Sequence, residues 1–300
     1  MVEEKGILDR KSIFAGLVVN NPVKFIEIRF KIWFKILDQH GDTGLTAFKP
    51  PAFDEGDGEL LKHRIIISQM CGRIPLMIDQ EVRDFKQKLI GENRQGLVLD
   101  IDETLSWTIG TWVEQLQKRF GNPENLSIKE LAVKYRYTDR VPYWQTPEAF
   151  EWMEKAREDN KLQEEFIPIL EAKEGVEKLQ KIVPVLGYLT TRPRTVLEGT
   201  KRWLAKEGFP EVDVLARPAE VTSGEGDKWK AEVLNFLYPQ VRGIVDDKLA
   251  VAEYLPKGYR GMVFLYNNSE ANVKGIKVVS CPTWEVVCEQ VRLALSVASG

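Results

Sequence analysis

Short apolar runs that end abruptly in polar residues recur along this chain. Three of them lie at residues 97–99, 183–189 and 241–245. Runs of this length and composition are typical of buried strands in a parallel sheet. The polar residues that follow the three runs are Asp100 and Asp102, then Thr190, Thr191 and Arg192, then Asp246 and Asp247.

Segments with helical periodicity alternate with these strands. Residues 175–181 and 196–204 are predicted to be helices, and Gly208 is expected to end the second. Further strands are predicted at 212–215, 262–265 and 277–279. Strands that alternate with helices indicate an α/β fold, a doubly wound, Rossmann-like parallel sheet.

Residues 106–165 follow a different pattern, because they contain helix signals without strand signals. Trp112 and Phe120 mark one face of a first helix that ends near Gly121. Ser127 opens a capping box for a second helix, and Pro147 opens a third. The segment is therefore predicted to be a small, mainly helical insertion between the first and second strands.

The two carboxylates after the first strand indicate chemistry. Alternation along an extended backbone sends Asp100 and Asp102 to the same side, where two like charges are costly without a compensating cation or proton. Magnesium, a hard cation that prefers oxygen ligands, is the expected compensator. The plainer alternative is that these acids are solvated or cap the next turn.

Other residues expected at this sheet edge supply complementary groups. Ligands of parallel sheets bind beyond the carboxyl ends of the strands. Thr190 can donate its hydroxyl proton to an anionic oxygen. Lys228 and Lys230, in a predicted helix start before Asp246, can neutralise a phosphate or a nucleophilic carboxylate.

The order of these motifs resembles the haloacid dehalogenase superfamily of phosphohydrolases. The pattern is Asp-x-Asp-x-Thr, then a strand ending in Thr, then Lys, then a strand ending in Asp-Asp. The resemblance covers a core at 96–105 and 166–300. It implies that residues 106–165 are the inserted cap, and it leaves 1–95 as an N-terminal extension of mixed or helical character.

The resemblance also implies residue roles. Asp100 would be the nucleophile that becomes an aspartyl phosphate, and Asp102 the acid and then base that serves the leaving group and water. An Asp at position 102 separates the phosphatases of the family from its pumps and dehalogenases. Thr190 would hold the transferred phosphoryl group, with Thr191 as the alternative.

The remaining roles concern charge. Lys230 would screen the nucleophile from the phosphate, with Lys228 as its rival. Asp247 would bind Mg²⁺ directly and Asp246 through water. The full predicted metal set is Asp100, Asp102, Asp246 and Asp247, and the predicted substrate-binding set is Thr191, Arg192, Arg136 and Arg140.

Two features are less clear from the motifs. Many family members have Gly where this chain has Glu103, and that carboxylate is expected to point to solvent. Residues 134–144, in the predicted cap, combine aromatic side chains with Arg136 and Arg140. This loop is predicted to select the leaving group by stacking and charge, although its aromatic residues would equally serve as cap core.

Composition narrows the class of protein. A net charge of −3 without a basic tract argues against nucleic-acid binding. Three cysteines without metal spacing suit a reducing cytoplasm, and no signal peptide is visible. Residues 23–37 form an apolar stripe with interspersed cations, which is expected to pack on the protein itself; contact with a membrane surface is the alternative.

The predicted function is a magnesium-dependent phosphatase that hydrolyses a small phosphomonoester, nucleotide-like or another phosphorylated metabolite. A phosphatase for a nucleic-acid end or a phosphoprotein is the first alternative, and a substantial cap argues against it. The second alternative is an inactive binding or scaffold module, and the intact set of charged residues argues against that.

Overall fold

The computed structural model describes residues 78–296. The apolar stripe at 23–37 and most of the predicted N-terminal extension lie outside this range. The last part of that extension forms helix α1 (Gln80–Gly91). Asp79 caps its start, because the Asp79 side chain accepts a hydrogen bond from the Val82 backbone N–H. Its buried residues pack on the same cluster as the sheet, so α1 belongs to the layer of helices that covers the core.

Six parallel strands form a single sheet in the order β3-β2-β1-β4-β5-β6. The strands are β1 (Gly96–Leu99), β2 (Val185–Pro193), β3 (Asp213–Arg217), β4 (Val241–Asp246), β5 (Met262–Tyr266) and β6 (Lys277–Cys281). This confirms the predicted doubly wound α/β fold. The strand order reverses between β1 and β4, and this is the point where ligands of such sheets bind.

Helices cover both faces of the sheet, and alternation along the strands explains why. Leu97 and Leu99 of β1 face one apolar cluster, whereas Val98 faces the other. The first face carries α6 (Ala172–Gln180), α7 (Leu197–Glu207) and α10 (Trp284–Ser296), and the second carries α1, α8 (Gly226–Leu237) and α9 (Leu249–Tyr254). Gly208 ends α7 in a left-handed conformation with φ of 78°, as predicted.

Residues 106–165 form helices, as the sequence predicts. These are α2 (Thr108–Phe120), α3 (Ile128–Tyr135), α4 (Pro147–Arg157) and α5 (Asn160–Glu164). The capping box at Ser127 is present, and Thr146 caps α4. A small separate cluster around the buried Trp144 joins α2, α3 and α4. The exact bounds of the cap stay a prediction.

Trp144 and Tyr143 belong to that cluster, so the aromatic end of the loop 134–144 is packing. Trp144 is fully buried and donates its indole N–H to the Gly121 carbonyl. No helix between residues 78 and 296 combines the length and the apolar character that crossing a bilayer requires.

Candidate active site

The carboxyl ends of β1 and β4 bring three acids and one lysine together. Leu99 pairs with Val245, and the Asp100 backbone N–H donates to the Val245 carbonyl at 2.9 Å. This register sets Asp100 beside Asp246. Both side chains are almost fully buried, which makes their charges costly unless a cation is near.

Lys230 supplies that cation. Its ammonium group donates to Asp100 Oδ1 and to Asp246 Oδ2, each at 2.8 Å, and its side chain is 1% exposed. Lys230 lies in the second turn of α8, and Lys228, two positions earlier, is on the exposed side of the helix. Of the two candidate lysines, the structure therefore places Lys230 against the nucleophile candidate.

The pKa values follow from this arrangement. Burial raises the pKa of Asp100 to about 7, and Asp246 and Asp102 add to the effect although Lys230 opposes it. Burial, followed by the charges of Asp246 and Asp100, also raises the pKa of Asp247. Burial lowers the pKa of Lys230, but Asp100 and Asp246 outweigh it, so the ammonium stays charged.

One cluster has the composition of a cation site. Asp100, Asp246 and Asp247 offer carboxylate oxygens that lie within 4.8 Å of one another. Asp247 Oδ1 is buried and has no hydrogen-bond partner among the described residues. When all three carboxylates are ionised, their charge outweighs the single charge of Lys230, so a divalent cation with oxygen ligands fits the site.

Asp102 lies outside this cluster. Its carboxylate accepts from Arg192 Nε at 3.0 Å, from Arg192 Nη2 at 2.7 Å and from Thr108 Oγ1 at 2.6 Å. Burial raises the pKa of Asp102, but the charge and hydrogen bonds of Arg192 outweigh it and lower the pKa below its usual value. The geometry does not support the prediction that the Asp102 carboxylate is a metal ligand.

Arg192 is held inside the protein. Its side chain is 4% exposed, and its guanidinium lies over the rings of Phe166 and Trp203 at 4.6 and 5.6 Å from their centroids. Besides Asp102, it donates to Ser106 Oγ at 3.1 Å. These contacts do not support the predicted role of Arg192 in substrate binding. They position Asp102.

A test on Arg192 separates the two roles. Given the acid–base role that the resemblance implies for Asp102, Arg192→Met is expected to lower kcat for phosphate-ester hydrolysis by about a hundredfold, with little change in KM. The acidic limb of the pH–rate profile should move to higher pH, because the pKa of Asp102 rises without its cation. Arg192→Lys should restore part of kcat. A raised KM at unchanged kcat would instead support direct substrate binding.

Thr190 and Thr191 lie where the sequence predicts, in the last part of β2. Thr190 is fully buried, and its hydroxyl oxygen accepts from the Arg192 backbone N–H at 3.2 Å. The hydroxyl proton thus remains available to an anionic oxygen. Thr191 is partly exposed, and its carbonyl accepts from Arg217 Nε.

The prediction for Glu103 is wrong. Its side chain does not point to solvent: its Oε1 accepts from the Ile109 backbone N–H at 2.6 Å, in the first turn of α2. Burial raises the pKa of Glu103 to about 7, although that hydrogen bond opposes the shift. The backbone of Glu103 has φ of 58°, a left-handed conformation that favours glycine and that this chain instead uses to aim a helix cap.

Other residues near the site were not predicted. Lys248 follows Asp247, and its backbone N–H donates to Asp246 Oδ1 at 2.9 Å. Burial lowers the pKa of Lys248, but acidic neighbours, Asp227 first, raise it above its usual value. The position of Lys248 directly after the Asp246-Asp247 pair could have identified it as a neighbour of the site from the sequence. Nothing in the local sequence identifies Thr108 as a partner of Asp102.

Arg136 and Arg140 are exposed, and no hydrogen bond or ion pair joins them to these carboxylates. Arg140 lies over the ring of Tyr137, 4.6 Å from its centroid. The proposed part of these two arginines in substrate binding stays a prediction.

No protein-family model and no curated protein matches the chain. Similar solved structures include a dehalogenase with an intermediate complex, which is 13% identical with a TM-score of 0.41 over 66% of this chain and 96% of its own. A HAD family hydrolase from Deinococcus radiodurans, with bound phosphate and sodium, is 15% identical with a TM-score of 0.39 over 68% of this chain and 96% of its own.

Cytosolic 5'-nucleotidase IIIB, bound to cytidine, is 18% identical with a TM-score of 0.31 over 75% of this chain and 94% of its own. One of these proteins carries the name of the superfamily that the motifs resemble. At such identities and TM-scores, the likenesses say nothing about the substrate or the reaction of this chain.

Proposed function

We propose that the chain is a magnesium-dependent phosphatase of the haloacid dehalogenase type, acting on a small phosphomonoester through an aspartyl phosphate on Asp100. The observation that carries the proposal is the lysine bridge: Lys230 holds Asp100 Oδ1 and Asp246 Oδ2 at 2.8 Å each, beside the unpartnered Asp247 Oδ1. A buried nucleophile, a fixed ammonium group and a carboxylate cluster that fits a divalent cation are the groups that phosphoryl transfer requires.

Asp100 is suited to attack because only one of its oxygens is held. Lys230 takes Oδ1, and Oδ2 makes no hydrogen bond with the described residues. In the proposed reaction an Asp100 oxygen bonds to phosphorus while the bond from phosphorus to the leaving oxygen breaks, and the leaving oxygen takes a proton from solvent water because Asp102 is ionised. Lys230 and the Thr190 hydroxyl stabilise the negative charge of the phosphoryl oxygens.

Asp102 serves the second half of the reaction. Held ionised and oriented by Arg192, it can accept a proton from water as the water oxygen attacks the phosphorus of the aspartyl phosphate. Phosphate then leaves, Asp102 releases its proton to solvent, and Asp100 is restored as a carboxylate. Asp100, Asp246 and Asp247 would hold Mg²⁺, which neutralises the acids and orients a phosphate oxygen when bound.

A substrate screen tests the proposal. Phosphorylated metabolites are incubated with the full chain in magnesium and, separately, with EDTA, and released phosphate is measured. Magnesium-dependent release from a small phosphomonoester is expected. Release that resists EDTA would contradict the magnesium site.

The same screen with Arg136→Ala and Arg140→Ala tests the predicted role of these arginines in substrate selection. The preference among metabolites should change, while a small aryl phosphate is hydrolysed as before.

The raised pKa values predict how stability depends on pH without magnesium. Asp100, with a pKa of about 7 against an ordinary value of 3.8, holds a proton in the folded state between those values, where the unfolded chain has lost it. Glu103 and Asp247 shift in the same direction. The free energy of unfolding should therefore fall as pH rises from about 4 to about 7.

Thermal unfolding in EDTA at pH 5, 6, 7 and 8 measures this slope. Magnesium should raise the Tm most at the upper end of the range, because the cation and the proton compete for the same carboxylates. Asp100→Asn should flatten the slope. A Tm in EDTA that rises steadily with pH, with no effect of magnesium, would show that the acids are not coupled in this way.

A further inference from the structure

A second candidate site lies at the amino-terminal ends of the strands, opposite the carboxylate cluster. A cavity of about 850 Å³ opens where β4, β5 and β6 begin, whereas the carboxylates lie where strands end. Arg242 is the second residue of β4, Arg260 precedes β5, and Lys277 is the first residue of β6. We call this cavity the basic pocket; its lining includes Tyr238, Arg242, Tyr259, Arg260, Asn272 and Lys277.

The charge of the basic pocket is uncompensated. Arg242, Arg260 and Lys277 form no ion pair with any residue between 78 and 296. Glu270 is the only acid in residues 255–279, although the whole chain carries more acids than bases. Three like charges around one cavity repel one another, and an anion with more than one charge relieves that repulsion.

The Tyr259 ring forms part of the wall of the basic pocket. Tyr259 is 5% exposed, and its hydroxyl makes no hydrogen bond with the described residues. Burial raises the pKa of Tyr259, so the hydroxyl keeps its proton and remains a donor. Tyr238 packs edge-on against the Tyr259 ring, with centroids 6.0 Å apart.

We propose that the basic pocket binds a small polyanion of the diphosphate type. Two arginine guanidinium groups present forked donors that match phosphate oxygens, and Lys277 adds a point charge. The three cations line one open depression and not an extended stripe, which favours a small polyanion over a polymer. Inorganic diphosphate and the diphosphate group of a nucleotide share this chemistry.

The test is calorimetric titration of inorganic pyrophosphate into the full chain in EDTA. Without magnesium, the acids of the other edge repel anions, so binding reports the basic pocket. The variant R242A/R260A/K277A should bind at least about tenfold more weakly, because it removes the three cationic donors that hold the anion. If the triple variant unfolds, R260A/K277A, which changes only exposed residues, should still bind pyrophosphate more weakly than the unmodified chain.

The matched control is K129A/K161A/K181A, three exposed lysines elsewhere that make no ion pair with the described residues. It should leave the affinity for pyrophosphate unchanged. Phosphatase activity in the screen is independent of these outcomes, so failure here leaves the proposed reaction untouched.

A parallel titration with ADP distinguishes the source of the diphosphate. Tighter binding of ADP than of pyrophosphate, lost in the same triple variant, would indicate a nucleotide; equal binding would indicate the free anion. Absence of pyrophosphate binding, or equal loss in the control variant, would overturn the proposal. So would a single-stranded RNA that binds through these cations when pyrophosphate does not.

Discussion

Replacing Asp100 with asparagine is expected to reduce hydrolysis of an aryl phosphate by about a thousandfold or more, the scale of a lost catalytic nucleophile. The amide has the shape of the carboxylate but cannot form the aspartyl phosphate. Because the Asp100 carboxylate is buried and its pKa is raised, removing its charge should leave the fold intact. Released phosphate and circular dichroism measure the two effects.

Asp139→Asn is the matched control, because Asp139 is exposed and lies outside the carboxylate cluster. It should keep full activity. Near-native turnover in Asp100→Asn would mean that the aspartyl-phosphate chemistry is wrong, whatever the fold.

Lys230→Met is expected to have the largest effect on stability. Without the ammonium group, Asp100 and Asp246 are left buried beside each other with no cation, and breaking a buried ion pair costs about 3–5 kcal/mol. Urea unfolding in EDTA measures the loss. It should be smaller at pH 5 than at pH 8, because protonation of one carboxyl removes the repulsion.

Lys228→Met provides the comparison within the same helix. Lys228 is exposed, so its replacement should change the free energy of unfolding by less than about 0.5 kcal/mol. Magnesium should recover part of the stability lost in Lys230→Met, since the cation supplies positive charge to the same acids. Equal costs for the two lysines would contradict the placement of Lys230.

The strands and most helices could be predicted because their signals are local. The runs at 97–99 and 241–245 are β1 and β4, and the acids after them meet because carboxyl ends of neighbouring parallel strands share an edge. The active-site lysine could be narrowed to Lys230, with Lys228 as its rival. The sequence could not decide between them, because the choice depends on which side of α8 faces the sheet.

The partners of Asp102 could not be predicted. Arg192 is ninety residues away in the chain and reaches Asp102 only because β2 lies beside β1 and the Trp203 and Phe166 rings hold its guanidinium. Glu103 was misjudged for a related reason. A charged residue in a turn is usually solvated, but the left-handed backbone here turns its carboxylate toward the start of α2.

Peptide mass spectrometry after an acid quench tests the proposed chemistry most directly. The full chain is mixed with magnesium and a phosphomonoester that it hydrolyses, then quenched within the first turnovers and digested. The expected result is a phosphoryl group on Asp100, absent in Asp100→Asn and in samples with EDTA. Continued turnover with Asp100 unmodified, or a phosphoryl group on another residue, would contradict the assignment of Asp100 as the nucleophile.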